Sequence, residues 1–258
     1  MPTDFSIWSD KEEEDVGAGC LVTITAAGNV LDVAPPLLAK MVPHHYASPE
    51  RLARLLERLG KSAAAGYVRE RLPTTRTARS GDLGEILAAE YIDAETAYSV
   101  PIKRLRWKDH RNMALRGDDV IAIKPPAEDE PIRFLKTEAK SRAALDADTV
   151  AEAREALDSH DGLPSPHALG FISDRLHETG NTALGDLIDR AQLNDGISSR
   201  QVGHMLFTFS GNSPHRLLSN DLGAYGGAVS QQAIGLRVEP HQQLIAAVYN
   251  LVEAEHDP

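Results

Sequence analysis

Apolar and polar positions alternate along this chain with two different periods, and the changes of period mark its elements. Leu52, Leu55, Leu56 and Leu59 recur at helical spacing behind Ser48-Pro49-Glu50, a capping serine with proline in the first turn, and Gly60 closes the run. Upstream, residues 20–25 and 30–33 read as a hairpin around Ala26-Ala27-Gly28-Asn29. A loop rich in Thr and Arg (72–79) precedes a second helix over 82–92. Strands are expected at 99–107, 119–123 and 132–140, with 125–130 as the turn between the last two. Beyond them the pattern predicts a helix at 148–159, a buried strand at 168–173 and a helix at 182–192. Two more strands (204–210 and 233–238) and an amphipathic helix at 241–255 complete the series. The order helix, three strands, helix, strand is that of a mixed α/β layer structure. No linker separates the hairpin and helix region (1–74) from the rest (75–258), so the two are expected to pack together.

Period two also places the candidate chemistry. Gly117-Asp118-Asp119-Val120-Ile121-Ala122-Ile123 is a short apolar strand headed by acids, and Phe134-Leu135-Lys136-Thr137-Glu138-Ala139-Lys140 is a second strand ending in Glu-x-Lys. Alternation puts Glu138 and Lys140 on one face with Ala139 turned away, and gives Asp119 the parity of Ile121 and Ile123. Asp118 then reads as a turn residue. If the strands pair, two carboxylates and an ammonium meet at one end of a sheet, an arrangement that can hold a divalent metal against a phosphodiester. The acid-x-Lys triplet alone carries little, because 38 acids and 8 lysines in 258 positions produce about one by chance. Its setting at the end of an apolar strand carries more. Glu85 has two readings: it can bond back to an N-cap at Asp82, or it can aim into a site beside the sheet.

Composition narrows the class. With 258 residues, 42% apolar and 25% charged, the chain can bury a sizeable core. The single Cys20 forms no internal disulfide, no Cys/His cluster has zinc spacing, and no apolar run reaches bilayer length, so cytoplasm is expected. The net charge of −11 argues against unaided coating of nucleic acid, but it is uneven. Residues 51–142 carry 19 Lys and Arg against 14 Asp and Glu, a surplus of 5, while the remainder is in deficit by 16. Lys103, Arg104, Arg106, Lys108, Arg111 and Arg116 form the densest basic run. They are candidates for nucleic-acid contact, with a solvated surface as the plainer alternative. Other groups offer less. His44-His45 reads as loop surface, Gly223 to Gly227 as a flexible turn, and Trp107 as core packing rather than base stacking. Ser80 and Ser210 lack a nucleophile elbow.

Glu85, Gly117-Asp118-Asp119 and Glu138-Ala139-Lys140 together resemble the PD-(D/E)XK nuclease superfamily, and Leu135 to Arg142 is similar to the Glu-Val-Lys-Ser-Arg ending of its resolvase-like members. Ser80-Gly81-Asp82-Leu83-Gly84-Glu85, Arg106-Trp107-Lys108 and Leu115-Arg116-Gly117-Asp118-Asp119 further resemble the nuclease subunit family of Hachiman antiphage defence systems. The resemblance spans residues 75–145. It implies a restriction-endonuclease-like mixed sheet flanked by helices, with the N-terminal hairpin and helix as an extension. It implies a Mg²⁺-dependent DNA nuclease, with Mn²⁺ as a substitute, that cleaves without sequence specificity. Asp119 and Glu138 would ligate the metal, Glu85 would support it, and Lys140 would orient water. A HamB-type helicase subunit would restrain the enzyme. The competing readings are a non-catalytic binding module on the same fold and a small-molecule phosphohydrolase.

Overall fold

A computed structural model describes residues 4–115, 117–127 and 130–255. Six strands form one sheet in the order β1-β2-β6-β5-β4-β3. The strands are β1 (Ser9–Val16), β2 (Gly19–Ala26), β3 (Val120–Lys124), β4 (Arg133–Arg142), β5 (Val202–Ser210) and β6 (Ser230–Arg237). The four central strands β2, β6, β5 and β4 run parallel, and the outer pairs β1–β2 and β3–β4 are antiparallel. A sheet of parallel strands needs cover on both faces, and β5 is buried along its whole length.

One face is covered by α1 (Val30–Tyr46), α4 (Arg76–Glu95) and α9 (His241–Glu255), which share a core with Leu135, Phe207 and Ile234. The other is covered in two parts. Helices α6 (Pro166–Glu178) and α7 (Thr182–Arg190) pack on Ile121, Ile123 and Phe134, while α5 (Ala147–Asp158) and α8 (His215–Ala224) pack on Leu206 and Ala233. Helices α2 (Pro49–Leu59) and α3 (Lys61–Arg69) pack on each other outside the layers. This is the mixed sheet flanked by helices that the restriction-endonuclease-like resemblance implies, and the N-terminal hairpin extends it through β2.

Several expected elements are corrected. The hairpin is β1–β2, turning at Gly17 with φ of +61°, not a pairing of 20–25 with 30–33. Residues 30–33 open α1, because Val30, Ala34 and Leu38 are buried four residues apart against the α9 side of the core. Residues 168–173 lie in α6, where Ala168, Leu169, Ile172 and Leu176 form a helical stripe. Ser165 caps α6 and Pro166 opens it, the same pairing that marks α2. The strand at 99–107 reduces to one bridge, Ser99 to Ile123, and a 3-10 turn at Arg104–Trp107; Pro101 supplies no ladder N–H. The turn at 125–130 includes Glu128 and Asp129, outside the described residues.

Candidate active site

The strand register decides whether the acids meet. Val120 lies opposite Thr137 in the antiparallel β3–β4 pair, so Asp119, one residue earlier, continues the row opposite Glu138. Residues directly opposite in such a pair share a face. The Asp119 Oδ2 accepts the Ala139 backbone N–H at 2.9 Å, which ties the carboxylate across the open end of the pair. Lys140 Nζ donates to Glu138 Oε1 at 2.7 Å on the same face, and Ala139 turns to the α4 side. Burial, then the charge of Glu138, raises the Asp119 pKa from 3.8 to about 7, against the pull of the Ala139 amide, Lys140 and Arg104.

Glu85 arrives from the opposite face of the sheet. Thr75 caps α4 by accepting the Ala78 N–H, so the helix begins a full turn before Asp82. The cap reading of Glu85 therefore falls, and Asp82 is an interior residue. Asp82 accepts Lys108 Nζ at 2.5 Å and the Tyr46 hydroxyl at 2.7 Å. Glu85 lies beside Asp119 in a small cavity with Arg104 and Ile86. Its pKa is pushed well up by burial, then by the charges of Asp119 and Asp82, with Lys108 and Arg104 opposing. Asp119 thus stands between Glu85 on one side and Glu138 on the other, at the edge formed by β3.

Among the described residues no three carboxylate, imidazole or thiolate groups are gathered closely enough to hold an ion as they stand. Mg²⁺ asks for less, since one or two carboxylates with water and substrate phosphate commonly suffice. The all-oxygen donor set of Asp119 and Glu138, with the raised Asp119 pKa that their repulsion helps produce, fits a hard divalent cation. Glu138 would have to share itself between Lys140 and the ion.

A family model described as HamA matches residues 6–252. The chain belongs to the HamA family. It is 25% identical over 229 residues to the Hachiman protein HamA of Bacillus cereus, a match covering 86% of this chain and 81% of that relative. No described helix is long and apolar enough to cross a membrane.

In this HamA-family chain the basic run is largely engaged within the fold. Lys103 pairs with Asp93 at 2.6 Å, and Lys108 with Asp82. Arg106 donates twice to the His44 carbonyl, and Arg104 donates to the backbone carbonyls of Asp118 and Asp119. Arg111 is exposed, and Arg116 lies outside the described residues. Trp107 packs edge-on against Phe171. His45 is corrected from loop surface to the buried end of α1, where its Nε2 meets Glu90 Oε1 at 2.8 Å.

Lys136 had no assigned role in the sequence, and Asp118 is corrected from a turn residue. Lys136 Nζ is buried and donates to the carbonyls of Leu157, Ser159 and Leu163 and to Ser159 Oγ, at 2.8–3.1 Å. It pairs with Asp118 Oδ1 at 3.4 Å, and Asp118 Oδ2 accepts the Ser165 N–H. Asp118 is thus a buried anchor. The available signal was a lysine at core parity between Phe134 and Glu138.

Proposed function

We propose that this HamA-family chain is the nuclease effector of a Hachiman antiphage defence system, hydrolysing DNA phosphodiesters without sequence specificity. The observation that carries the reading is the pairing of Asp119 with Glu138 across the open end of β3–β4, with Lys140 beside Glu138. Asp119 and Glu138 would hold Mg²⁺ or Mn²⁺, with Glu85 in support. When bound, the cation would neutralise charge on the phosphate and the leaving oxygen. Lys140 orients the attacking water, and its ammonium stabilises the negative charge that develops on the phosphate. Arg104 fixes the backbone that carries Asp119. A helicase partner of the HamB type would hold the enzyme inactive until abnormal DNA appears, which suits a chain whose bulk charge repels DNA.

Incubation of the purified protein with circular and linear DNA in Mg²⁺ or Mn²⁺, alone and with its helicase partner, tests the reading. Wild type should degrade DNA, while Glu138→Ala and Lys140→Ala should be inactive though folded and partner-competent. Cleavage retained in either variant removes the assignment. The Glu138–Lys140 ion pair favours one rival, a binding module that keeps the fold for structural ends. On that reading no condition gives cleavage, and loss of Glu138 leaves defence intact.

A further inference from the structure

The basic residues expected to meet nucleic acid are mostly held by internal partners, so backbone contacts must come from elsewhere on the molecule. A cleft of about 560 Å³ lies along the N-terminal half of α4, between that helix, the end of β4 and the 112–114 segment. Glu85 is part of its wall and also borders the small cavity that Asp119 lines, so this one carboxylate joins the two. Two arginines line it, Arg76 in the first turn of α4 and Arg142 at the last position of β4. Both are exposed. Neither forms an ion pair among the described residues; Arg142 donates only to the adjacent Ser141 carbonyl. The lysine in the wall, Lys108, is paired with Asp82.

The cleft therefore carries two exposed arginines without an ion pair among the described residues, Arg142 also in the field of Asp146, and the Asp82 and Glu85 carboxylates in the same wall. Exposed guanidinium groups in the same wall as Glu85 suit a phosphodiester held by arginine and led toward that carboxylate. Thr77 and Gln242 add polar groups, and Met113, 57% exposed, offers an apolar edge to a base. The volume is that of a small-molecule pocket, room for a few nucleotides of one strand.

We infer that this cleft is the substrate channel, in which Arg76 and Arg142 grip the phosphates of a single DNA strand and lead it to Glu85. The inference rests on the nuclease reading only for what happens at the inner end; strand binding can be measured without it. The test is fluorescence anisotropy of a labelled thymidine oligonucleotide, single-stranded or annealed to its complement, without divalent cation and over a range of salt. The double variant Arg76→Gln/Arg142→Gln should bind the single strand about tenfold more weakly, and its salt slope should flatten by about 1.4, the loss of two strand phosphates. Arg190→Gln, on exposed α7 surface, should bind as wild type does, and the duplex should bind wild type less tightly than the single strand. Equal binding by wild type and the double variant overturns the channel, as does an equal loss in Arg190→Gln, a preference for duplex, or no binding by wild type at low salt. If the arginines govern binding but Glu138→Ala cleaves as wild type does, the channel stands and the active-site assignment falls. If Glu138→Ala abolishes cleavage while the arginines prove irrelevant, the reverse holds.

Discussion

Two lysines on the same face of β4, four residues apart, each pair with a carboxylate, and the two pairs are built for different purposes. Lys136 and Asp118 have side chains 2% and 5% exposed, and the ammonium is wrapped by four further oxygen acceptors. Lys140 and Glu138 are 19% and 12% exposed and have each other. In the first pair every hydrogen-bonding direction is satisfied, so burial is tolerable and the pair locks the 157–165 segment to the start of β3. In the second the ammonium keeps donors to spare, and a further carboxyl, Asp119, lies close enough for Glu138 to raise its pKa. The same residue types, placed by one strand, make an anchor where the neighbours close over them and a reactive corner where the sheet ends.

The largest expected effect tests that contrast directly. Lys136→Ala strands a buried carboxylate and several carbonyls and should destabilise the fold by about 3–5 kcal/mol, whereas Lys140→Ala should cost under about 1 kcal/mol. Urea unfolding of both variants measures the difference, and equal losses would erase the distinction. Next come the adjacent aspartates. Asp118→Asn should destabilise by about 2–3 kcal/mol, for a hydrogen-bonded buried charge lost. Asp119→Asn should instead stabilise the metal-free protein by about 1 kcal/mol, because it removes a carboxylate repelled by Glu138 and Glu85. A destabilised Asp119→Asn would mean that its amide and arginine contacts outweigh the repulsion.

The pH dependence should follow with the same sign. Asp119 holds its proton in the folded state up to about 7 against an ordinary 3.8. In that window the folded chain binds more protons than the unfolded one, and stability falls as pH rises, by at most about 1.4 kcal/mol per unit. Below the window both states are protonated and the favourable contribution is complete; above it the loss is complete. The difference in unfolding free energy between wild type and Asp119→Asn, followed from pH 4 to pH 8 (roughly the window that linkage sets), isolates this group. A flat difference would contradict the raised pKa. The smallest effect is the thermal shift on adding Mg²⁺, a few degrees at saturating ion. It should be larger at the alkaline end, where protons no longer compete, and absent in Glu138→Ala.

How far the sequence could be read depended on how local each cause was. The alternation that aligns Glu138 with Lys140 needs only a strand, and β4 is one. α2 announced itself through Ser48, Pro49 and its leucines, all within a dozen residues. Glu85 was ambiguous because its meaning depends on where α4 starts, and Thr75 rather than Asp82 does the capping. The basic run misled for a related reason. Lys103, Arg106 and Lys108 look solvated in sequence, yet their partners Asp93, His44 and Asp82 are brought to them only by packing.

By itself the sequence determined the alternating rows, the capped helices and the presence of an acid–acid–lysine set, because dihedral preference, capping and side-chain parity act over a few residues. Tertiary structure decided that Asp119 faces Glu138, that Lys136 is sheathed while Lys140 is open, and that Arg76 and Arg142 border a cleft. Those outcomes depend on pairing register and on which distant groups share a low-dielectric neighbourhood, and both are set by the packed core as a whole.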